Sequence, residues 1–224
     1  MMYRLAHSLR SRFRNSPGRL RDNDRGVVSV EFAFTVPIIL LMYIGLVQVS
    51  LIVSTDRQVS QSASTLADLA SQATANDEGD MTAIMTAGLQ VLQVSNPDVR
   101  PDIAMQITSC ERDNNDVYDV MGTATLAGSN FTFPPVDCSS IDPRLLVRNG
   151  GVVVSRVRYD FKMLSNGSGS TINTNRALIN YNVELGETFV MKPRVSTKVA
   201  FRNTADTSSD FTCTADEDYI ATCS

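Results

Sequence analysis

A run of 22 mostly apolar residues near the start of the chain, Phe32–Val53, constrains the fold more than any other feature. It is interrupted by Thr35, Gln48 and Ser50 and contains Pro37. At 1.5 Å of rise per residue, the run would form a helix of about 33 Å, long enough to cross a bilayer. We therefore predict a membrane helix here. It should be kinked at Pro37, because proline lacks a backbone donor.

Two kinds of targeting segment have a related composition. A secretory signal has an apolar core of about 7–15 residues followed by a small-residue cleavage site, so residues 32–53 are too long for one. A mitochondrial transit peptide is rich in arginine but amphipathic, whereas this run is apolar throughout. The length of the run favours a retained membrane anchor over either alternative.

Charge is distributed unevenly on the two sides of this run. Residues 1–26 contain seven arginines and two aspartates, a balance of +5. The remaining residues have 13 basic and 22 acidic side chains, a balance of −9, which together gives the net charge of −4. By the positive-inside rule, the basic leader lies in the cytoplasm and the acidic remainder lies across the membrane. The composition does not indicate nucleic-acid binding, which needs a clustered basic face.

One carboxylate, Glu31, lies at the edge of the apolar run. A charged group inside a bilayer costs roughly 2.5–3.5 kcal/mol on insertion scales, so such a residue is a candidate for function. Glu31 is the fifth residue after Gly26, and the residues between them are small or apolar. A structural alternative is an interaction of the carboxylate with the N-terminal helix dipole, which is compatible with a second role.

The pattern predicts four segments: a leader at 1–26, a transmembrane helix at 27–55, an amphipathic extension at 56–80 and an α+β domain at 81–224. The extension has apolar residues at steps of four and three, which place them on one helical face. These residues are Val59, Ala63, Leu66, Ala70 and Ala73. This face would cover the apolar side of a small antiparallel sheet.

Within the distal domain, a second helix is expected over residues 82–94. Strands are expected over residues 103–108, 117–126, 151–164 and 188–197, the last at a sheet edge because of Pro193. The strand that begins at Gly151 alternates apolar and polar residues from Val154 onward, as in a sheet with one wet face. A flexible loop at Asn166–Ser170 and a polar terminal loop over residues 203–224 complete the prediction.

Four cysteines lie on the predicted far side of the membrane: Cys110, Cys138, Cys213 and Cys223. An even number in an oxidising compartment indicates two disulfides, and three pairings are possible. Cys110–Cys138 and Cys213–Cys223 are favoured because each closes a short loop. Zinc is the alternative, but no pair has the short C-x₂₋₄-C spacing and no histidine follows. We therefore expect no metal site.

Catalytic and cofactor motifs are absent from the sequence. The single histidine, His7, lies in the leader, which excludes His-based triads and most zinc chemistry from the distal domain. The chain has no G-x-x-x-x-G-K-[ST] and no G-x-G-x-x-G motif. Acidic clusters at 113–116 and 206–210 are expected to be solvated loops, with weak calcium binding as the alternative. We therefore expect that the protein is not an enzyme and that it binds no cofactor.

The N-terminal segment resembles the TadE-like pseudopilins of the Tad (tight adherence, type IVb-like) pilus system. The residues that carry the resemblance are Arg25-Gly26, Val30-Glu31-Phe32-Ala33 and Pro37, together with the apolar run. It covers residues 25–70, and beyond residue 80 it is architectural only. It implies a pilin-like fold in which a long helix packs on a sheet.

The resemblance also implies processing and assembly. A prepilin peptidase would cleave after Gly26 at the cytoplasmic face of the bacterial inner membrane, and Val27 would become the N-terminus. The family often has Phe or Met there. Glu31 would pair with the free N-terminus of a neighbouring subunit. The implied partners are the peptidase, other pilins and pseudopilins, the assembly platform and membrane lipid. The distal domain would be periplasmic, or extracellular in the pilus.

The function expected from the whole sequence is that of a minor pilin or pseudopilin involved in pilus assembly or adhesion. Two alternatives stay open. The first is an unprocessed, membrane-anchored periplasmic protein that binds a partner or the cell envelope; the N-terminus of the mature protein distinguishes it from a pilin. The second is a calcium-dependent adhesin, which would show a thermal stability that depends on calcium.

Overall fold

The computed structural model describes residues 24–92, 103–127, 131–162, 182–202, 209–216 and 220–224, with the backbone alone at 24–27, 162 and 182. The leader up to residue 23, the expected loop at Asn166–Ser170 and residues 206–208 lie outside this part. The chain divides into two compact units, Met1–Val49 and Ser50–Ser224. The segment boundaries expected at residues 26, 55 and 80 stay predictions.

The first helix, α1, extends over 48 residues from Asp24 to Ser71 and continues through Pro37. It begins three residues before the expected start at Val27 and ends before the acidic segment at 76–80. Two donors beyond the helix accompany the earlier end. The nearby Asn76 side chain donates to the Ala70 carbonyl, and the N–H of Arg194, distant in sequence, donates to the Ser71 carbonyl. These donors satisfy terminal carbonyls that a helix leaves unpaired. The kink at Pro37 stays a prediction.

The second helix, α2, covers Glu78–Val91, four residues earlier than expected at its start. Asp77 and Asp80 form a capping box, in which each side chain accepts from the other residue's N–H. This reciprocal cap fixes the start of the helix. Ser62 of α1 donates to the Gly88 carbonyl of α2 at 2.9 Å, so the two helices are in contact within the second unit.

The expected apolar face of α1 is present and buried, except at Ala73, which lies beyond the end of the helix and is half-buried. Val59, Ala63, Leu66 and Ala70 are each at most 1% exposed. Leu66 meets α2 at Gly88, where an added Cβ would lie only 2.6 Å from its Cδ2 atom. The absence of a side chain at Gly88 therefore permits this approach.

Gly88→Val should destabilise the second unit by about 1–3 kcal/mol, because the added atoms overpack a site where Leu66 is fully buried. Gly79→Val is the matched control on the same helix, since its Cβ would meet only Asp77 Oδ1, at 3.4 Å. Urea unfolding of the full-length protein in detergent micelles measures both variants. Equal free energies of unfolding for the two variants would contradict this packing.

The core of the second unit is a six-stranded sheet with the order β5-β4-β2-β3-β7-β8. Its strands are β2 (Ile103–Arg112), β3 (Tyr118–Leu126), β4 (Gly150–Lys162), β5 (Asn182–Met191), β7 (Phe211–Ala215) and β8 (Ala221–Cys223). The short strands β1 (Ala75–Asn76) and β6 (Ala200–Phe201) form a separate parallel pair. The β5 strand lies at one edge, as Pro193 predicted, although it begins six residues earlier than expected and ends before the proline.

The α+β class is confirmed, but the sheet is mixed rather than purely antiparallel. β3 pairs with β7 in parallel, with Ala124 opposite Phe211. Parallel neighbours require a crossover connection, and the chain forms β4, β5 and β6 between these two strands. The terminal loop expected over residues 203–224 was wrong for its described part, since β7 and β8 lie there and pair antiparallel.

Both faces of the sheet are covered where β4 begins, so the expectation of one wet face was wrong there. On one face, Val153 and Val157 pack with the buried side of the helices. On the other face, Val152 and Val154 belong to a second cluster with Leu146 and a disulfide. The segment 131–149, which includes a short 3₁₀ helix at Cys138–Ser140, supplies this second cover.

The structure contains the two disulfides that loop length favoured, Cys110–Cys138 and Cys213–Cys223. All four cysteines are at most 4% exposed. The first disulfide ties segment 131–149 to β2, and the second ties β7 to β8. The first disulfide therefore holds segment 131–149 against the sheet, and the second holds the last two strands together.

Candidate functional site

The apolar part of α1 exposes its side chains along its length. Most of the large apolar side chains from Val28 to Val53 are between 39% and 73% exposed. Its most apolar window of 18 residues has a mean hydropathy of 2.5, and none of that window is buried. Within the part of the chain that the structure describes, one helix is long and apolar enough to cross a membrane. An uncovered helix that is apolar throughout is typical of a membrane span.

Glu31 lies on this exposed helix, beside Phe32, which is 68% exposed. Residues 27 and 31 are four apart in α1, so they share a helical face with about 6 Å of rise between them. Among the side chains that the structure describes, no cation forms an ion pair with Glu31. Glu31 is therefore the one carboxylate in the apolar part of α1, residues 28–53, and no described cation is paired with it.

Gly26 and Val27 lie in the first turn of α1, because the helix begins at Asp24. The bond expected to be cleaved is therefore in helical backbone. The N–H groups of a first turn have no partner within the helix, so this turn has fewer hydrogen bonds than the interior. Unwinding this first turn would therefore break few hydrogen bonds in the remainder of α1.

Two backbone carbonyls near Glu31 have altered bonding. Pro37 has no N–H, so the helix loses the bond that residue 37 would donate to the Ala33 carbonyl. Thr35 Oγ1 donates to the Glu31 carbonyl at 2.8 Å. This type of bond satisfies a threonine hydroxyl inside an apolar helix without an external partner. The Thr35 hydroxyl therefore has a hydrogen-bond partner within the helix. The Glu31 carboxylate has no ion-pair partner among the described side chains.

The acidic cluster at 113–116 is an exposed turn, in line with the expected solvated loop, and its side chains bond the turn itself. Asp113 Oδ1 accepts from the N–H groups of Asn115 at 2.7 Å and Val117 at 2.8 Å. Asp116 bonds the guanidinium groups of Arg112 and Arg148. Asp and Asn favour such self-bonded turns, which was the available sequence signal. Arg112 directly precedes the cluster, whereas Arg148 comes from a segment 32 residues away and could not be inferred as a partner.

The second acidic cluster has a similar structural role where it is described. Asp210 Oδ1 accepts from the Thr123 N–H at 2.8 Å, where β7 approaches β3. Among the described residues, no group of three or more His, Cys, Asp or Glu side chains is placed to hold a metal ion. The described carboxylates of the two acidic clusters thus participate in turns and strand contacts.

Asp116 gives a pH-dependent contribution to stability. The hydrogen bond from Arg148 is the largest cause that lowers the pKa of Asp116 from its ordinary 3.8, with a further contribution from Arg112. The same contact raises the pKa of Arg148. A carboxyl whose pKa is lower in the folded state stabilises it above the unfolded pKa, and this contribution disappears as pH falls through the folded pKa.

Asp116→Asn should therefore lower the stability at pH 7, and its difference from the native protein should shrink as the pH falls below 3.8. Asparagine tolerates the left-handed backbone at this position, where φ is 64°. Urea unfolding at pH 7 and in a series below pH 4 measures the difference. A difference that stays constant across this range would contradict the ion pairs.

Comparisons with known proteins agree with the N-terminal resemblance. A family model described as TadE-like protein matches residues 26–68. No curated protein and no solved structure matches the chain. The family match begins at Gly26, includes Glu31 and Pro37, and extends into the buried face of α1. The matched segment, residues 26–68, is therefore similar to TadE-like proteins.

Proposed function

We propose that this protein is a minor pseudopilin of a Tad-type pilus, cleaved after Gly26 and assembled through packing of its apolar helix. One observation carries the proposal. Glu31 is the single carboxylate in the exposed apolar part of α1, residues 28–53, within the segment that matches the TadE-like family model. The proposed work is physical rather than catalytic: the chain inserts, is trimmed, and joins or primes a filament.

Cleavage would change the electrostatics around Glu31. In the uncleaved chain, the peptide bond between Gly26 and Val27 carries no charge. After cleavage, Val27 has an ammonium group one helical turn from Glu31, on the same face. A buried charge is costly when isolated and tolerable when paired with good geometry. Processing therefore creates a cation one helical turn from Glu31.

Pairing between subunits would also set their axial position. Packed helices lie about 8–10 Å apart, so an ammonium on one helix can meet a carboxylate on its neighbour. In an apolar environment, a carboxylate without a cation is costly. An axial alignment of two helices that leaves Glu31 unpaired would therefore be unfavourable. The pair would thus select one register as subunits leave the membrane.

The proposed topology follows from charge. The basic leader would stay in the cytoplasm, residues 27–55 would cross the bacterial inner membrane once, and the second unit would be periplasmic or extracellular in the pilus. The proposed partners are a prepilin peptidase, other pilins and pseudopilins, the assembly platform and membrane lipid. The family match and the single apolar helix support a membrane-anchored pilus component.

Gly26→Leu tests the proposal. It should keep the leader attached, because the larger side chain changes the residue before the cleaved bond, and the uncleaved subunit should be absent from filaments. Gly45→Leu is the matched control on the same helix, since a Cβ there would meet no atom within 4 Å. Mass spectrometry of the membrane fraction and immunoblots of sheared filaments measure both effects.

The control should be processed as the native protein is. Normal cleavage of Gly26→Leu, or filaments that contain the uncleaved variant at native abundance, would overturn the proposal. An unprocessed anchor would give the full-length mass for the native protein and for both variants.

A further inference from the structure

A groove of about 540 Å³ lies between β5 and segment 131–134, and neither the family match nor the proposed assembly explains it. We call it the arginine groove. Its lining combines two arginines, Arg156 and Arg158, with two carboxylates, Glu184 and Glu187, and includes Pro134, Gly186 and Thr188. All of them are in the second unit. Its volume is within the range of pockets that hold small ligands.

Strand register places the polar groups on one face of the sheet. Arg156 is opposite Thr188, and Arg158 is opposite Gly186. Residues directly opposite each other on neighbouring strands project to the same face. The glycine leaves this face open beside Arg158, since an added Cβ would lie 3.6 Å from the Arg158 Cγ atom. Glycine inside a strand often marks a place where another molecule approaches the backbone.

The two arginines are only partly satisfied. Arg156 Nη1 donates to the Pro134 carbonyl at 2.9 Å, a neutral partner. Burial, and then the charge of Arg158, lower the pKa of Arg156. The Arg158 guanidinium lies 5.5 Å from the centre of the Phe133 ring, and its Nε is 3.6 Å from Glu184 Oε1. A guanidinium offers about five N–H donors, so most donors in this groove have no partner among the described residues.

We propose that the arginine groove binds an acidic sugar, whose carboxylate pairs with Arg156 and Arg158 and whose hydroxyls bond Glu184 and Thr188. Arginine is suited to bidentate recognition of carboxylates. Glu184 and Glu187 disfavour a small, bare anion in the groove, but their carboxylates accept hydrogen bonds from hydroxyl groups. The combination therefore fits a ligand that carries one anionic group and several hydroxyls.

This site is independent of processing at Gly26, because all its residues belong to the second unit. The two proposals can consequently fail separately. Loss of filament assembly would leave sugar binding intact, and loss of sugar binding would leave the mature N-terminus unchanged.

Isothermal titration calorimetry of the full-length protein in detergent micelles tests the inference, with glucuronate as the probe and glucose and inorganic phosphate as comparisons. Glucuronate should bind saturably and more tightly than either. Arg158→Gln should weaken glucuronate binding at least about tenfold, the usual effect of losing charged hydrogen bonds. Gly186→Leu keeps both arginines and should weaken binding by filling the groove.

Arg144→Gln is the control, since Arg144 is exposed and is not part of the groove. It should bind glucuronate as the native protein does, and thermal unfolding should verify that all three variants are folded. The inference is overturned if no saturable binding of glucuronate occurs, if phosphate binds as tightly, or if folded Arg158→Gln and Gly186→Leu retain native affinity.

Discussion

Glu31→Gln should insert into the membrane as the native protein does and should fail to enter filaments. Glutamine keeps the size of the side chain and removes its charge, so the cost of insertion falls rather than rises. The ammonium of a neighbouring subunit would then be buried without its partner. Breaking one side of a buried ion pair costs about 3–5 kcal/mol, which corresponds to more than about a hundredfold in association.

Fractionation of cells into membranes and sheared filaments measures this prediction. Glu31→Asp is the matched variant, because it keeps the charge on a shorter side chain and should restore assembly in part. A role confined to the N-terminal helix dipole predicts only a modest effect, typically below about 1 kcal/mol. Native amounts of Glu31→Gln in filaments would exclude the pairing.

Removal of the Cys110–Cys138 disulfide should be the most destabilising double substitution at the cysteines. The two residues are 28 apart in sequence, and in the chain-entropy account a loop of this length gives about 3.5 kcal/mol. The bond also ties segment 131–149 to β2 above the cluster formed by Val152, Val154 and Leu146. We therefore expect Cys110→Ala with Cys138→Ala to lower the free energy of unfolding by about 3–4 kcal/mol.

Cys213→Ala with Cys223→Ala is the matched comparison. These residues are 10 apart, so the same account gives a smaller loss of about 2.5–3 kcal/mol. Urea unfolding in detergent micelles ranks the two pairs. The first pair should also weaken glucuronate binding, because Pro134 of segment 131–149 contributes to the arginine groove. A larger loss for the second pair would contradict the ranking.

Local patterns in the sequence predicted the features that depend on short-range spacing. Val59, Ala63, Leu66 and Ala70 are one helical turn apart, so periodicity alone identified the buried face of α1. The apolar run and Glu31 were equally visible, because a membrane helix is specified by composition and length. Loop length favoured the cysteine pairing that the structure contains.

Features that depend on distant pairing could not be predicted in the same way. The parallel contact between β3 and β7 joins Ala124 to Phe211, and no local pattern specifies such a partner. The end of α1 depends on Arg194, which is far from Ser71 in sequence. The arginine groove was missed because Arg156 and Arg158 looked like the solvated face of a strand. Register with β5 is needed to place Gly186 opposite Arg158.

The mature N-terminus tests the central claim most directly, since the proposed partner of Glu31 exists only after cleavage. Intact-mass spectrometry should be applied to the native protein from bacteria with and without a prepilin peptidase. The account predicts a chain that begins at Val27 when the peptidase is present and retains the leader when it is absent. A chain that retains residues 1–26 in both strains would contradict it.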